Sequence, residues 1–226
     1  MNLYYLIGNT ADINESVLLS SLPDARRRTT ERRPRTDRIV SAAAAQLLRY
    51  ALHDAGMGAF CDAPMVWEGK PHFADPTIPL YFNFSHTAEK TGGAFAAAVL
   101  LSCGGEVGVD CEIPRPLHNR EAMVQRIFTE AERTYLQTHG PHAFFDLWCA
   151  KEAYMKWTGE GFSRPMSRIS VDLEQGFAES DGRRCAMYTG VFGGCVLACA
   201  AERIVDITET AVSPLQLQRF CKGEEQ

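Results

Sequence analysis

The chain has 226 residues, 46% of them hydrophobic and 23% charged, which supplies enough apolar side chain for a packed core. A net charge of −5 argues against a general nucleic-acid binder. No apolar run reaches the roughly 20 residues that cross a bilayer, so no membrane role is expected.

The opening run, Met1-Asn2-Leu3-Tyr4-Tyr5-Leu6-Ile7, has neither a basic leader nor a small-residue cleavage site. The expectation is a first strand in a cytoplasmic protein. The eight cysteines form no C-x-x-C pair and read as free thiols, several of them buried, rather than as a metal site. Arg26, Arg27, Arg28, Arg32, Arg33, Arg35 and Arg38 crowd one short stretch. Such a block against an acidic background suits either a contact to phosphate or acidic protein, or a solvated loop ahead of a helix.

Further along, Thr36-Asp37 offers a helix start. Ile39, Val40, Ala43, Leu47, Leu48 and Ala51 then recur at helical spacing until Gly56. Cys61 to Pro79, rich in proline, glycine and aspartate, reads as loop. Leu80–Ser85 reads as a strand, and the apolar run Ala94–Leu101 as a buried one. Gly104-Gly105 turns into a strand over Glu106–Glu112. Thr129-x-x-Glu132 is a capping box that opens a short helix. Pro141 leads into a longer helix over Ala143–Thr158, stopped by Gly159 and Gly161. Ile169–Leu173, Tyr188–Val191 and Val196–Ala201 read as later strands. Strands mixed with two substantial helices give an α+β fold.

Three segments carry chemistry. In Val107-Gly108-Val109-Asp110-Cys111-Glu112 the apolar residues point one way, and Asp110 and Glu112 sit side by side on the other. Such a pair can share a cation, and magnesium takes hard oxygen ligands of this kind. Taken alone, an exposed strand end before Pro114 is the simpler account. On the later helix Trp148, Glu152 and Lys156 lie on one face at i, i+4 and i+8. Glu152 and Lys156 could form a surface ion pair. Equally, Glu152 could add a third carboxylate to the acidic pair, and Lys156 could neutralise phosphate. The third segment, Phe82-Asn83-Phe84-Ser85-His86-Thr87, ends a strand in polar side chains able to bind phosphate.

Together these segments resemble the 4′-phosphopantetheinyl transferase superfamily, in its monomeric, pseudo-dimeric branch that activates peptide synthetases. Val107–Glu112 looks like the G-[IV]-D-x-E strand, and Trp148-x-x-Lys151-Glu152-Ala153-x-x-Lys156 like the W-x-x-K-E-A-x-x-K helix. Phe128-x-x-x-Glu132, Gly69-Lys70-Pro71 and Asn83-Phe84-Ser85-His86 are similar to the family's F-x-x-x-E, G-K-P and N-x-S-H segments.

The resemblance implies two similar α+β halves, each a long helix on a small antiparallel sheet, with the halves at 1–104 and 105–226. It implies transfer of the phosphopantetheine arm of coenzyme A to a serine of an acyl or peptidyl carrier protein. Asp110, Glu112 and Glu152 would hold Mg2+. Glu152 would act as base, and Lys156 would stabilise the transferring phosphate. Arg38, with Arg26 or Arg28, would take the 3′-phosphate of coenzyme A. Lys70, Ser85, His86, Asp110 and Lys156 would complete its contacts. A binding protein without catalysis, and a magnesium-dependent phosphohydrolase or nucleotidyl transferase, are the alternative readings of the same carboxylates.

Overall fold

The computed structural model describes residues 1–224. Its first elements are strand β1 (Asn2–Asn9), helices α1 (Glu15–Ser20), α2 (Asp24–Glu31) and α3 (Arg35–Asp54), and strands β2 (Met65–Val66) and β3 (His72–Phe73). Strands β4 (Tyr81–Ala88), β5 (Ala94–Ser102) and β6 (Val107–Glu112) follow, then helices α4 (Arg120–Ile127), α5 (Glu130–His139) and α6 (Ala143–Thr158). The chain closes with β7 (Ser170–Asp172), β8 (Phe177–Ser180), β9 (Arg183–Phe192), β10 (Cys195–Ala201), β11 (Thr208–Val212) and α7 (Pro214–Lys222).

Two sheets organise these elements, one in the order β11-β1-β5-β4 and one in the order β6-β10-β9-β8-β7. The fold is α+β, as expected. Helix α3 packs on the first sheet through Ile39, Ala43, Leu47 and Leu48 against Phe95, Ala97 and Val99. Helix α6 packs on the second through Ala150, Ala153 and Met155 against Val196, Ala198 and Ala200. The other faces of the sheets meet in a third cluster, where Leu3, Ala96, Ala98 and Leu100 adjoin Val107, Val109, Cys111, Leu197 and Cys199. Strands β5 and β10 are therefore covered on both faces, which is why each reads as an unbroken apolar run. Small alanine and cysteine side chains let the sheets approach closely. All eight cysteines are free, and five of them are buried.

The first sheet is not purely antiparallel. Strand β11 crosses from the second half and pairs with β1 in parallel register, Leu3 opposite Glu209 and Leu6 opposite Val212. Helix α7 follows, opened by a Ser213–Gln216 capping box with Pro214 in its first turn and closed by Gly223 at φ 72°. The first sheet thus draws on residues 2–102 and on β11, and the second on residues 107–201.

The arginine stretch is helical rather than loop. Asp24–Glu31 forms α2 and a short turn leads to α3, which begins at Arg35 after Pro34, so Asp37 lies in its first turn. The 61–79 segment is mostly irregular, but β2 and β3 pair within it. Among the described residues no helix is long and apolar enough to cross a membrane.

Candidate active site

Gly108 brings the two motif elements together. Alternation puts Gly108, Asp110 and Glu112 on the face of β6 opposite the inter-sheet cluster. A Cβ at 108 would lie 2.0 Å from the Ala153 carbonyl oxygen and 2.5 Å from the Trp157 backbone nitrogen. Only a glycine lets α6 lie this close to the strand. The last turn of α6 then carries Lys156 to Asp110.

Lys156 Nζ donates to Asp110 Oδ1 (2.7 Å), Ser85 Oγ (2.8 Å) and the Val109 carbonyl (3.0 Å). Ser85 Oγ itself donates to Asp110 Oδ1 (2.8 Å). The expected residues Ser85, Asp110 and Lys156 therefore form one cluster, drawn from β4, β6 and α6. Asn83 Oδ1 accepts from the Val109 backbone N–H (2.9 Å), fastening the edge of β4 to that of β6. The surface-pair reading of Lys156 falls: its ion-pair partner is Asp110 across the strand–helix gap. Trp148 is half-buried and stacks on Phe144.

Glu112 accepts from Thr87 Oγ1 (3.0 Å) and pairs with Arg115 (2.8 Å). Thr87 was expected only as one of the polar side chains ending its strand, and Arg115 was not singled out. Arg115 lies just past the strand, beyond Pro114, and carries no motif signal of its own.

Burial, and then the Asp110 carboxylate, push the Glu152 carboxyl up to about 7; Glu112 adds to the rise and Lys156 opposes it. Burial acts to lower the Lys156 ammonium, but Asp110, by charge and hydrogen bond, with Cys111 and Glu152, outweighs it and holds Lys156 above its usual range.

Two motif residues have structural work instead. Lys151 is fully buried and pairs with the equally buried Glu132 (2.8 Å). It also donates to the Met166 (3.0 Å) and Ile169 (2.5 Å) carbonyls. Glu132 closes the Thr129 capping box and accepts from the Val171 backbone N–H (2.8 Å). The pair locks α5, α6 and β7 together one residue away from Glu152.

The basic side of the site is less uniform. Arg26 donates to Ser41 Oγ (3.0 Å) and lies over the rings of Trp67 (4.8 Å) and Phe84 (5.8 Å). Its Nε is buried with no hydrogen-bond partner among the described residues, and burial plus the neighbouring Arg33 pull the guanidinium down to about 10. Arg28 is exposed. Arg38 is already engaged by Glu15 and the Arg33 carbonyl, so it ties α1 to the turn ahead of α3. Lys70 pairs with Glu106 and donates to the Trp157 carbonyl (3.2 Å), bridging its loop to the second half.

His86 is pushed down to about 4 by burial, then by the charges of Lys156, Arg33 and Arg26. Arg33 was not singled out individually in the sequence. Its charge reaches both His86 and Arg26 although its own side chain is exposed.

A depressed histidine leaves a signature in stability. Below about 6.5 the unfolded chain takes up a proton that folded His86 refuses. This contribution is present above that pH and is lost as pH falls toward 4. Melting curves between pH 4 and 7 should therefore fall more steeply for wild type than for His86→Asn. Parallel curves would mean that His86 is not held neutral by its surroundings.

The carboxylates are donors of the type a hard divalent cation takes. Asp110 Oδ2 is buried and has no hydrogen-bond partner among the described residues. A buried carboxylate oxygen without a partner is costly, and Glu152, raised first by burial and then by the Asp110 charge, lies beside it. An oxygen-only donor set of this kind suits magnesium. Among the described residues no three His, Cys, Asp or Glu side chains converge closely enough to hold an ion as they stand. Lys156 and Arg115 instead neutralise Asp110 and Glu112 one for one.

Comparison with known proteins agrees with this geometry. Residues 106–185, which carry both the acidic strand and the lysine-bearing helix, match the 4′-phosphopantetheinyl transferase superfamily. That segment, about a third of the chain, is what is similar to the superfamily. It is 36% identical over 96 residues to the 4′-phosphopantetheinyl transferase AcpT of Salmonella typhi, covering 41% of this chain and 46% of the relative. A 4′-phosphopantetheinyl transferase of Bacillus subtilis is 31% identical over 111 residues, covering 47% of this chain and 45% of the relative. The gsp transferase of Aneurinibacillus migulanus is 26% identical over 162 residues, 68% of this chain and 63% of the relative. The chain thus spans about half the length of the first two relatives and under two thirds of the third.

Proposed function

We propose that this protein transfers 4′-phosphopantetheine from coenzyme A to a serine of an apo acyl or peptidyl carrier protein, with Mg2+ as the metal. The observation that carries this reading is the joined cluster of Asp110, Lys156 and Ser85 beside a Glu152 carboxyl pushed up to about 7. Among perturbed groups in a cleft, a carboxyl poised near neutrality is suited to general-base work.

In this reading Arg26 and Arg38, with Arg28 and Arg33 at the rim, receive the 3′-phosphate. Lys70, Ser85 and neutral His86 contact the nucleotide phosphates. Asp110, Glu112 and Glu152 would hold Mg2+, whose charge would offset that of the pyrophosphate. Glu152, directly or through a water, takes the proton of the carrier serine. The serine oxygen bonds to the β-phosphorus and the bond from that phosphorus to the bridging oxygen breaks. The leaving group is 3′,5′-adenosine bisphosphate. Lys156, held by Ser85 and the Val109 carbonyl, stabilises charge on the transferring phosphate. The reading includes a monomer working in the cytoplasm.

The test is intact-mass analysis of a panel of apo carrier proteins after incubation with the protein, coenzyme A and Mg2+. Gain of one phosphopantetheine arm, lost on chelation, supports the reading. Release of free phosphate or a nucleotide adduct, with no carrier modified, overturns it. With Glu152 as base, kcat/KM should rise with pH through the Glu152 titration, which bound Mg2+ would draw below the metal-free position near 7. Glu152→Gln should flatten that limb and lower turnover by about 10²- to 10⁴-fold. An unchanged profile would remove Glu152 from the base role.

A further inference from the structure

Three carboxylates, Asp110, Glu112 and Glu152, face two internal cations, Lys156 and Arg115. The two cations are held very differently. Lys156 is fixed by Asp110, Ser85 and the Val109 carbonyl, all at 3.0 Å or less. Arg115 is held by Glu112 (2.8 Å) and by one longer bond to the Ile113 carbonyl (3.3 Å). Its side chain is 44% exposed, against 18% for Glu112. Thr87 holds the same Glu112 oxygen from β4, so the carboxylate keeps a neutral anchor if the arginine leaves. Pro114 stiffens the backbone between the partners, which leaves motion to the arginine side chain.

Charge balance then selects which cation moves. A divalent cation together with Lys156 balances the three carboxylates once the cation has ionised all of them. Retaining Arg115 as well would leave one positive charge in excess.

We propose that Arg115 is an exchangeable counter-ion: it holds Glu112 until a divalent cation takes that carboxylate, and so it sets how tightly the site takes its metal. This rests on the metal-dependent reading above. Arg115 is a positioning residue, acting through Glu112.

The test is direct Mn2+ binding to the purified full chain without coenzyme A, followed by the loss of the free-ion electron paramagnetic resonance signal. Arg115→Gln should tighten Mn2+ binding about three- to fivefold, the scale of an exposed ion pair. Arg115→Lys should stay close to wild type, and Asp110→Asn should abolish binding. An unchanged or weakened affinity in Arg115→Gln, with wild type still binding Mn2+ through Asp110, overturns the counter-ion role and leaves the metal reading standing. Absence of Mn2+ binding in both wild type and Arg115→Gln overturns both.

Discussion

Gly108→Ala should destabilise the protein by about 3 kcal/mol or more and, on the proposed function, remove nearly all carrier modification. The backbone at 108 is not left-handed, so the alanine itself is conformationally acceptable there. The harm is steric. The new methyl would sit 2.0 Å from the Ala153 carbonyl oxygen and 2.5 Å from the Trp157 nitrogen. Both are backbone atoms of one helix, so no side-chain rotation relieves the clash. Helix α6 must lift from β6, and Lys156 is carried away from Asp110. At about 2–4 °C of melting temperature per kcal/mol for a chain of this size, the loss is roughly 6–12 °C. Differential scanning calorimetry and carrier mass gain read the two effects separately. A variant that melts and turns over like wild type would show that the helix does not rest on this glycine.

Lys151→Met should cost about 3–5 kcal/mol, because it leaves the Glu132 carboxylate fully buried without its cation. The lysine also satisfies two carbonyls, at Met166 and Ile169, which methionine cannot. The double variant Lys151→Met/Glu132→Gln should recover part of that loss. The single amide oxygen can still accept from one of the two backbone N–H groups, Thr129 or Val171, and no charge remains unpaired. Chemical denaturation of both variants and of Glu132→Gln completes the cycle. A single-variant loss under about 1 kcal/mol would mean that the pair is not the lock between α5, α6 and β7.

Both variants touch residues inside the recognisable motifs, yet their structural roles were not in the pattern. Alternation along 107–112 did reveal which side chains face together, and the bounds of α6 follow from Pro141 before it and Gly159 after it. The Thr129 box formed as its spacing predicts. Periodicity says nothing, however, about which strand meets which helix. The contact of Asp110 with Lys156 spans 46 residues, and that of Ser85 with Lys156 spans 71. Helix α2 escaped because Arg26, Arg27 and Arg28 give it no apolar stripe to read. Strand β11, Thr-Glu-Thr-Ala-Val, is too polar and short to signal itself, and only its pairing with β1 makes it a strand. Helix α7 did carry legible signals in its Ser213–Gln216 box and Gly223. Arg38 and Lys70 matched expected positions but are occupied by Glu15 and Glu106, a fact that only tertiary structure supplies.

The parallel pairing of β1 with β11 also dictates an order of assembly. A ribosome makes β1 well before β11, so one edge of β1 waits for a partner about 200 residues further on. Until then β1, whose Leu3 and Leu6 face opposite sides of the sheet, presents an edge of unpaired backbone groups of the kind that invites misassociation. Completion of the first sheet is therefore tied to completion of the second, since the chain must traverse β6 to β10 before β11 can return. Such long-range closure predicts slow folding, with the two halves committing together rather than in sequence.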